Sequence, residues 1–150
     1  GAARGVALAL ESIGAREIIV CNRTDARSGA LVRDLGIANA SAAPWAAREE
    51  TMRRATLVVN TTSGGMKDAP PLDLSLRGAR ADAIVADIVY SPLETPLLAD
   101  ARAGGLGVID GLAMLMHQAA FAYRAWLGAS AVVDNALRAH LLAVIAGRRT

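Results

Sequence analysis

Short runs of consecutive apolar residues alternate along this chain with longer stretches in which apolar residues recur every three or four positions. The runs predict strands that are covered on both faces, and the spaced positions predict helices. The predicted strands are 17–22, a weaker 37–42, 56–60, 83–89 and 107–109. The predicted helices are 2–13, 24–35, 44–54, 94–103, 112–127 and a last one that Ser130 caps and that ends near Gly147.

This alternation of strands and helices predicts an open, doubly wound, mostly parallel α/β sheet with helices on both faces. A chain of 150 residues is long enough for one domain with its own core, which we place at 1–150. The composition is 53% hydrophobic but only 3% aromatic, so the core must consist of Ala, Val, Ile and Leu. That composition suits layered α/β packing.

Charge and cysteine content restrict the partners. A formal net charge of +2 is too small to indicate nucleic acid or a membrane surface. No apolar stretch approaches the roughly 20 residues that span a bilayer, and we find no signal peptide. The single Cys21 excludes an internal disulfide and is compatible with a cytoplasmic location. His117 and His140 have no partners at metal-ligand spacing, so we expect both to be structural and no metal to bind.

Two arginines stand at the predicted start of the second helix. Thr24 suits the N-cap, where its hydroxyl can accept from free N–H groups of the first turn. Arg23 and Arg27 lie four positions apart around this start, close enough to share one target. Cations at a helix N-terminus cost a few tenths of a kcal/mol each, and a bound phosphate would remove that conflict. The alternative is that Asp25 alone neutralises the pair on a solvated turn.

Polar and small residues follow several of the predicted strands. In open parallel sheets, ligands bind at the carboxyl ends of the strands. The residues at those ends are Asn22–Thr24, Asn60–Ser63, Tyr90 and Asp110–Gly111. Their convergence predicts a binding site along one edge of the sheet.

One strand of this architecture is not in the sequence. A dinucleotide-binding unit begins with a strand and a glycine-rich turn, and reaches its ribose-recognition residue about 20 residues later. Asn22 lies 21 positions after Gly1, so Gly1 falls inside that turn and no first strand precedes it. Because that strand is central in the usual order, we expect a fragment that folds poorly alone unless something fills the gap.

Five separated motifs occur along the chain. They are Gly1-Ala2-Ala3-Arg4-Gly5, Asn22-Arg23-Thr24 with Arg27, Asn60-Thr61-Thr62-Ser63-Gly64-Gly65-Met66, Asp87-Ile88-Val89-Tyr90 with Pro92 and Thr95-Pro96-Leu97-Leu98, and Asp110-Gly111-Leu112-Ala113-Met114-Leu115 with His117-Gln118-Ala119. In this order and spacing they resemble the cofactor-binding, C-terminal part of shikimate dehydrogenase. The resemblance covers nearly the whole chain, and its two last motifs are the most specific.

The resemblance implies a Rossmann-like fold and NADP-dependent, reversible reduction of 3-dehydroshikimate to shikimate, a step toward chorismate and the aromatic amino acids. An arginine rather than an acidic residue at the ribose position favours NADP over NAD. The implied cofactor-binding residues are Asn22, Arg23, Thr24 and Arg27 at the adenosine ribose and its 2′-phosphate, Gly1 and Ala2 at the diphosphate, Thr61 along the middle, and Ile88, Gly111 and Met114 near the nicotinamide. The implied substrate-binding residues are Tyr90 and Gln118.

The catalytic pair of this family, a lysine with a nearby aspartate, lies in an N-terminal substrate domain. We therefore assign no catalytic residue here, do not give that role to Lys67, and expect the chain alone to be inactive. Two alternatives remain open: a quinate/shikimate dehydrogenase paralogue that uses NAD or both cofactors, and a non-catalytic nucleotide-binding domain. The expected partners are a small-molecule substrate and, as a homodimer, a second copy of the chain.

Overall fold

The computed structural model describes residues 1–147 and contains parallel strands that alternate with helices. The strands are β1 Ile18–Asn22, β2 Ala40–Pro44, β3 Leu57–Asn60, β4 Ile84–Asp87 and β5 Gly107–Ile109. The helices are α1 Ala2–Ser12, α2 Asp25–Leu35, α3 Arg48–Arg54, α4 Pro96–Ala103, α5 Gly111–Leu127 and α6 Asn135–Gly147, with a 3-10 turn Trp45–Ala47 before α3. All paired strands are parallel, which confirms the predicted α/β class.

The segment around β2 differs from the prediction by a few residues. The strand predicted at 37–42 begins only at Ala40, because Ala40 N donates to Ile37 O in a turn and Ile37 enters the core. Pro44 was expected in the first turn of a helix but ends β2 in an extended conformation, with φ −63° and ψ 149°. A proline is tolerated there because β2 is an edge strand, so its missing N–H leaves no partner unbonded.

The last helix also begins later than expected. It starts at Asn135, and Asp134 Oδ1 accepts a hydrogen bond from Leu137 N at 2.8 Å. The prediction that Ser130 caps this helix is therefore wrong. The residues between Gly128, which ends α5 with φ +67°, and Asp134 form an irregular connection instead.

The strands form two separate sheets. In the part of the chain that the structure describes, β1 pairs only with β2, whereas β3, β4 and β5 form a second sheet in that order. A gap between β1 and β3 holds a cavity of about 150 Å³ near their carboxyl ends and one of about 530 Å³ near their amino ends. The carboxyl ends of both strands line the first cavity and their amino ends line the second, so the two strands run in the same direction. This gap is where the expected central strand would lie.

Each sheet has its own apolar core. Ala7 of α1, Ile18 and Ile37 are buried together beside the two-stranded sheet. Val85 of β4 is buried with Leu98 and other residues of α4 beside the three-stranded sheet. The helices therefore cover the two sheets separately, and the packing follows the division of the strands.

Helix α5 is buried only over its first turns. Leu112 and Met116 are buried, but Trp126 is 82% exposed and Tyr123 is 44% exposed. The apolar side that its spacing produces is thus covered at the amino end and open at the carboxyl end. Within residues 1–147, no helix combines the length and the hydropathy that crossing a bilayer requires.

Candidate functional site

The residues predicted at the carboxyl ends of the strands do gather along one edge of the molecule. Asn22 ends β1, Thr61 follows β3, Ile88 follows β4 and Gly111 opens α5 directly after β5. Arg23 lines a cavity of about 190 Å³ together with Thr62, Ser63 and Gly64 of the loop after β3. The turn after β1 and the loop after β3 therefore lie next to each other at this edge, although their strands belong to different sheets.

The turn after β1 is shaped by an asparagine. Asn22 Oδ1 accepts a hydrogen bond from Thr24 N at 2.9 Å, which holds the chain in the bend before α2. Thr24 does occupy the N-cap of α2, as predicted, but its hydroxyl makes no hydrogen bond to the helix. The predicted capping bond is therefore wrong. Arg27 N donates to Thr24 O at 2.8 Å, so the N–H groups of Asp25 and Ala26 keep the capacity to bind a ligand.

Arg23 and Arg27 are both exposed at this turn. Neither forms an ion pair among the residues that the structure describes. Asp25, which the alternative gave as the neutralising group, instead accepts a hydrogen bond through Oδ1 from Trp45 N at 2.9 Å. It thereby attaches α2 to the end of β2 and forms no ion pair with the arginines. Two guanidinium groups beside a helix N-terminus thus remain available for an anion.

The amino end of α1 is open as well. Gly1 is the N-cap, and its carbonyl accepts hydrogen bonds from Arg4 N and Gly5 N. Ala2 is exposed, and a Cβ added at Gly1 would meet nothing within 4 Å. Arg4, in the first turn of α1, pairs with Asp34 in the last turn of α2, so this ion pair joins the start of α1 to the end of α2. Small residues here let a ligand approach the backbone closely.

A buried polar cluster, consisting of Asn60, Asp87 and Thr95, joins the loops after β3 and β4. Asn60 Nδ2 donates to Asp87 Oδ1 at 3.1 Å and to Gly64 O at 3.0 Å. Asp87 Oδ1 also accepts from Val89 N at 3.0 Å, and its Oδ2 accepts from Thr95 Oγ1 at 2.8 Å. All three side chains are almost completely buried, with exposures of 1 to 3%. The cluster is internally satisfied, which is what makes a buried carboxylate tolerable.

The start of α5 lies against the backbone that follows β4. A Cβ added at Gly111 would lie 2.4 Å from both Ile88 O and Val89 O, so only glycine permits this contact. Asp110 caps α5 by accepting from Ala113 N at 3.2 Å, and it pairs with Arg138 of α6. Burial alone would raise the pKa of Asp110, but the hydrogen bonds and the charge of Arg138 outweigh it and leave that pKa below its usual 3.8.

The remaining predicted residues lie beside this contact. Ile88 and Met114 are half-buried, Tyr90 is 46% exposed at the end of β4, and Gln118 is exposed on α5. Met114 and Gln118 follow Gly111 on one side of the helix, as their spacing predicts. The predicted site residues at the strand ends and at the start of α5 thus occur at one edge of the molecule, and the roles of all predicted site residues in binding stay predictions.

Sequence reasoning did not assign a role to Asp87 or Thr95. Both lie in a quoted motif, and the signal that could have pointed to them is a charged residue at the end of an otherwise apolar strand. The side chain of such a residue must either form hydrogen bonds with buried partners or extend into solvent.

Neither a metal centre nor an activated thiol emerges from residues 1–147. No group of three or more His, Cys, Asp or Glu side chains in that range could hold a metal ion. Burial raises the pKa of the Cys21 thiol, against a lowering hydrogen bond with Thr51, so the thiol is protonated at neutral pH.

No family model matches the chain, but individual relatives do. A protein of Acidiphilium cryptum named shikimate dehydrogenase (NADP(+)) is 51% identical over 137 residues, which cover 91% of this chain and 48% of that protein. Shikimate 5-dehydrogenase of Thermus thermophilus, solved in complex with NADP(H) and shikimate, is 37% identical, with a TM-score of 0.73 over 85% of this chain and 46% of that one. Quinate dehydrogenase of Corynebacterium glutamicum in complex with NAD is 32% identical, with a TM-score of 0.81 over 87% of this chain and 48% of that one.

The parallel strands, the flanking helices and the polar residues at the strand ends define a Rossmann-like α/β unit. The resemblance stated from the motifs is confirmed, because the chain is homologous over nearly its whole length to shikimate dehydrogenases. The chain spans about half the length of the curated relatives it matches.

Proposed function

We propose that this chain binds NADP as the cofactor-binding part of a shikimate dehydrogenase, which reversibly reduces 3-dehydroshikimate to shikimate. The observation that carries the proposal is the pair Arg23 and Arg27, exposed at the start of α2 with no carboxylate partner among residues 1–147. A 2′-phosphate supplies the anion that this turn lacks. The name of the relative from Acidiphilium cryptum, which includes NADP(+), supports it.

The adenosine end of the cofactor is assigned to the turn after β1. Asn22 and Thr24 lie where the ribose hydroxyls approach, and the two arginines bind the 2′-phosphate. Charge-assisted hydrogen bonds of this kind contribute about 1.5–3 kcal/mol each. The exposed helix N-terminus adds N–H donors, since the Thr24 hydroxyl does not occupy them.

The rest of the dinucleotide follows the edge toward β4 and β5. Gly1 and Ala2 leave room for the diphosphate at the amino end of α1. Thr61 lies along the middle of the dinucleotide, between its adenosine and nicotinamide ends. Ile88, Gly111 and Met114 surround the place of the nicotinamide, where the contact of Gly111 with the Ile88 and Val89 carbonyls fixes the local backbone.

The substrate is assigned to the same end. Tyr90 and Gln118 present exposed polar groups beside the proposed nicotinamide position, and both can bond a hydroxyl or carboxylate. NADPH, when bound, supplies a hydride to the substrate carbonyl, and the reaction also needs a general acid for the developing alkoxide. We assign that acid to no residue of this chain, not to Lys67 either, so we expect the chain alone to bind cofactor without turnover.

Titration calorimetry with NADP⁺ and NAD⁺ tests the assignment. Arg23→Ala should weaken NADP⁺ binding about 10- to 100-fold, the equivalent of one charged hydrogen bond, and should change NAD⁺ binding less than about threefold. Arg16→Ala is the matched control, because Arg16 is an exposed arginine at the opposite end of β1. Equal losses for both cofactors, or an equal effect of the control, would contradict the phosphate assignment.

The alternative, a quinate/shikimate dehydrogenase that uses NAD or both cofactors, is not favoured. The chain is similar in structure to quinate dehydrogenase in complex with NAD, but the unpaired arginines and the names of the curated relatives support NADP and shikimate dehydrogenase. A wild-type chain that binds NAD⁺ as tightly as NADP⁺ would support this alternative over the proposed function.

Cellular context is part of the proposal. We expect a cytoplasmic location, because relatives of this chain carry the name of a biosynthetic enzyme, and we retain the homodimer as a prediction. Size-exclusion chromatography with light scattering would test the second point.

A further inference from the structure

The buried polar cluster Asn60–Asp87–Thr95 connects the loops after β3 and β4 at the proposed cofactor edge. Asn60 belongs to β3 and holds the loop that follows, through Gly64 O and through its own Oδ1, which accepts from Thr62 N at 3.0 Å and from Thr62 Oγ1 at 2.8 Å. This is the loop that shares a cavity with Arg23. These bonds come from Asn60 itself and do not pass through Asp87, so loss of Asp87 should leave the wall next to the proposed adenosine end in place.

The other end of the cluster fixes the backbone next to α5. Asp87 Oδ1 accepts from Val89 N, which determines how the chain leaves β4. The carbonyls of Ile88 and Val89 then lie so close to Gly111 that no side chain fits between them. A change in the direction of the chain at Val89 must displace the start of α5, because that contact has no free space.

Thr95 completes the cluster from α4. Its hydroxyl donates to Asp87 Oδ2 at 2.8 Å and accepts from Leu98 N at 3.3 Å, so the same atom also caps the helix. Gly65 lies against it with φ +91°, and an added Cβ there would come within 3.3 Å of the Thr95 side chain. The loops after β3 and β4 are thus packed against each other around one carboxylate.

We propose that Asp87 is a positioning residue that sets the backbone at Ile88–Val89 and, through Gly111, the start of α5, so that the nicotinamide end of the cofactor is held in place. This inference rests on the proposed function, because it presupposes NADP binding along the same edge. Asp87 does not touch the ligand in this scheme. It acts through Val89 N, while Asn60 holds the loop after β3 by its own bonds to Gly64 O and Thr62.

The test compares two ligands that share the adenosine end. NADPH carries the nicotinamide, whereas 2′-phospho-ADP-ribose lacks it and binds only through the parts assigned to Arg23, Arg27 and the diphosphate loop. Asp87→Asn keeps the shape of the side chain but removes its charge and one acceptor. We expect NADPH binding to weaken 5- to 20-fold and binding of the fragment to stay within twofold. A merely structural role would weaken both ligands equally.

Two further variants keep the test decisive if Asp87→Asn does not fold. Thr95→Val removes the donor to Asp87 Oδ2 and should weaken NADPH binding two- to fivefold with little effect on binding of the fragment. Thr95→Ser keeps the hydroxyl and should bind both ligands as the wild type does. Asp82→Asn makes the same chemical change on the surface, where Asp82 pairs with Arg80, and should alter the binding of neither ligand.

The outcomes separate this inference from the proposed function. If the wild-type chain binds neither ligand, the proposed function fails and the inference falls with it. If the wild-type chain binds both and the cluster variants weaken both equally, or weaken neither, the positioning role is overturned while the proposed function stands.

Discussion

The two ends of the proposed cofactor edge are built on opposite principles. At the turn after β1, Arg23 and Arg27 are exposed and pair with no carboxylate among residues 1–147. At the other end, Asp87 is 2% exposed and accepts three hydrogen bonds from neighbouring groups. The first arrangement leaves two cations free to bind an anion and lowers the stability of the unliganded chain slightly. The second uses its polar groups entirely within the protein.

The comparison shows how recognition and positioning are divided along one edge. Exposed cations select a ligand by charge and tolerate small errors in distance, because long side chains adjust. A buried carboxylate with three donors does not adjust, since each lost partner leaves an unsatisfied group in the interior. Variants at the two ends should therefore differ both in the size and in the sign of their effect on stability.

The largest expected effect is at the contact between α5 and the end of β4. Gly111→Ala places a methyl group 2.4 Å from two carbonyl oxygens and should lower the free energy of unfolding by about 3 kcal/mol. Urea denaturation followed by circular dichroism measures it. Gly5→Ala in α1 is the control, because nothing lies within 4 Å of its Cβ, and it should stabilise the chain by about 0.8 kcal/mol. If Gly111→Ala leaves the free energy of unfolding unchanged, the contact between α5 and the end of β4 is not rigid.

An intermediate effect is expected at the cap of α5. Asp110→Asn keeps a good capping residue but removes the charge that pairs with Arg138, which should cost about 1 kcal/mol at pH 7. Because the folded chain lowers the pKa of Asp110, its contribution is present above the unfolded value and is lost as pH falls below about 4. The difference between wild type and variant should shrink in urea titrations as pH falls below 3.8 and through the lowered pKa of Asp110, and a constant difference would refute the ion-pair account.

The smallest expected effect has the opposite sign. Arg27→Gln removes a cation from the first turn of α2 and should raise the free energy of unfolding by about 0.3 kcal/mol in the absence of ligand. Arg33→Gln, in the last turn of the same helix, removes a favourable cation and should lower it by a similar amount. Matched thermal unfolding curves at low ionic strength distinguish the two. If both variants shift stability in the same direction, the helix dipole does not explain the exposed arginines.

Local patterns were sufficient to predict most of the fold. The strand at 107–109 matches the prediction residue for residue, because glycine and the Asp110 cap mark its ends in the sequence itself. The errors at Thr24 and Ser130 share a cause. In each region, several residues could cap a helix or shape the turn before it, and Asn22 and Asp134 form bonds that the prediction did not give them. Which group reaches the N–H depends on the path of the backbone, which a local pattern does not contain.

The candidate site was predicted as a set of positions, but its internal structure was not. The strand ends and the two arginines follow from the order of elements and from charge. The cluster around Asp87 depends on partners 27 and 8 residues away, Asn60 and Thr95, and on a depth of burial that results from packing of the whole three-stranded sheet. A short stretch of neighbouring residues indicates neither these partners nor this depth of burial.

The gap between the two sheets predicts a particular pattern of amide hydrogen-exchange rates along β1 and β3. Parallel strands bond their neighbours through alternate residues, and Ile18 N donates to Asn39 O while Thr56 O accepts from Ile84 N. The N–H groups of Ile19, Cys21, Leu57 and Val59 therefore face the gap. These amides should exchange with deuterium much faster than those of the adjacent residues in the same strands, and the two halves of the molecule should open as separate cooperative units.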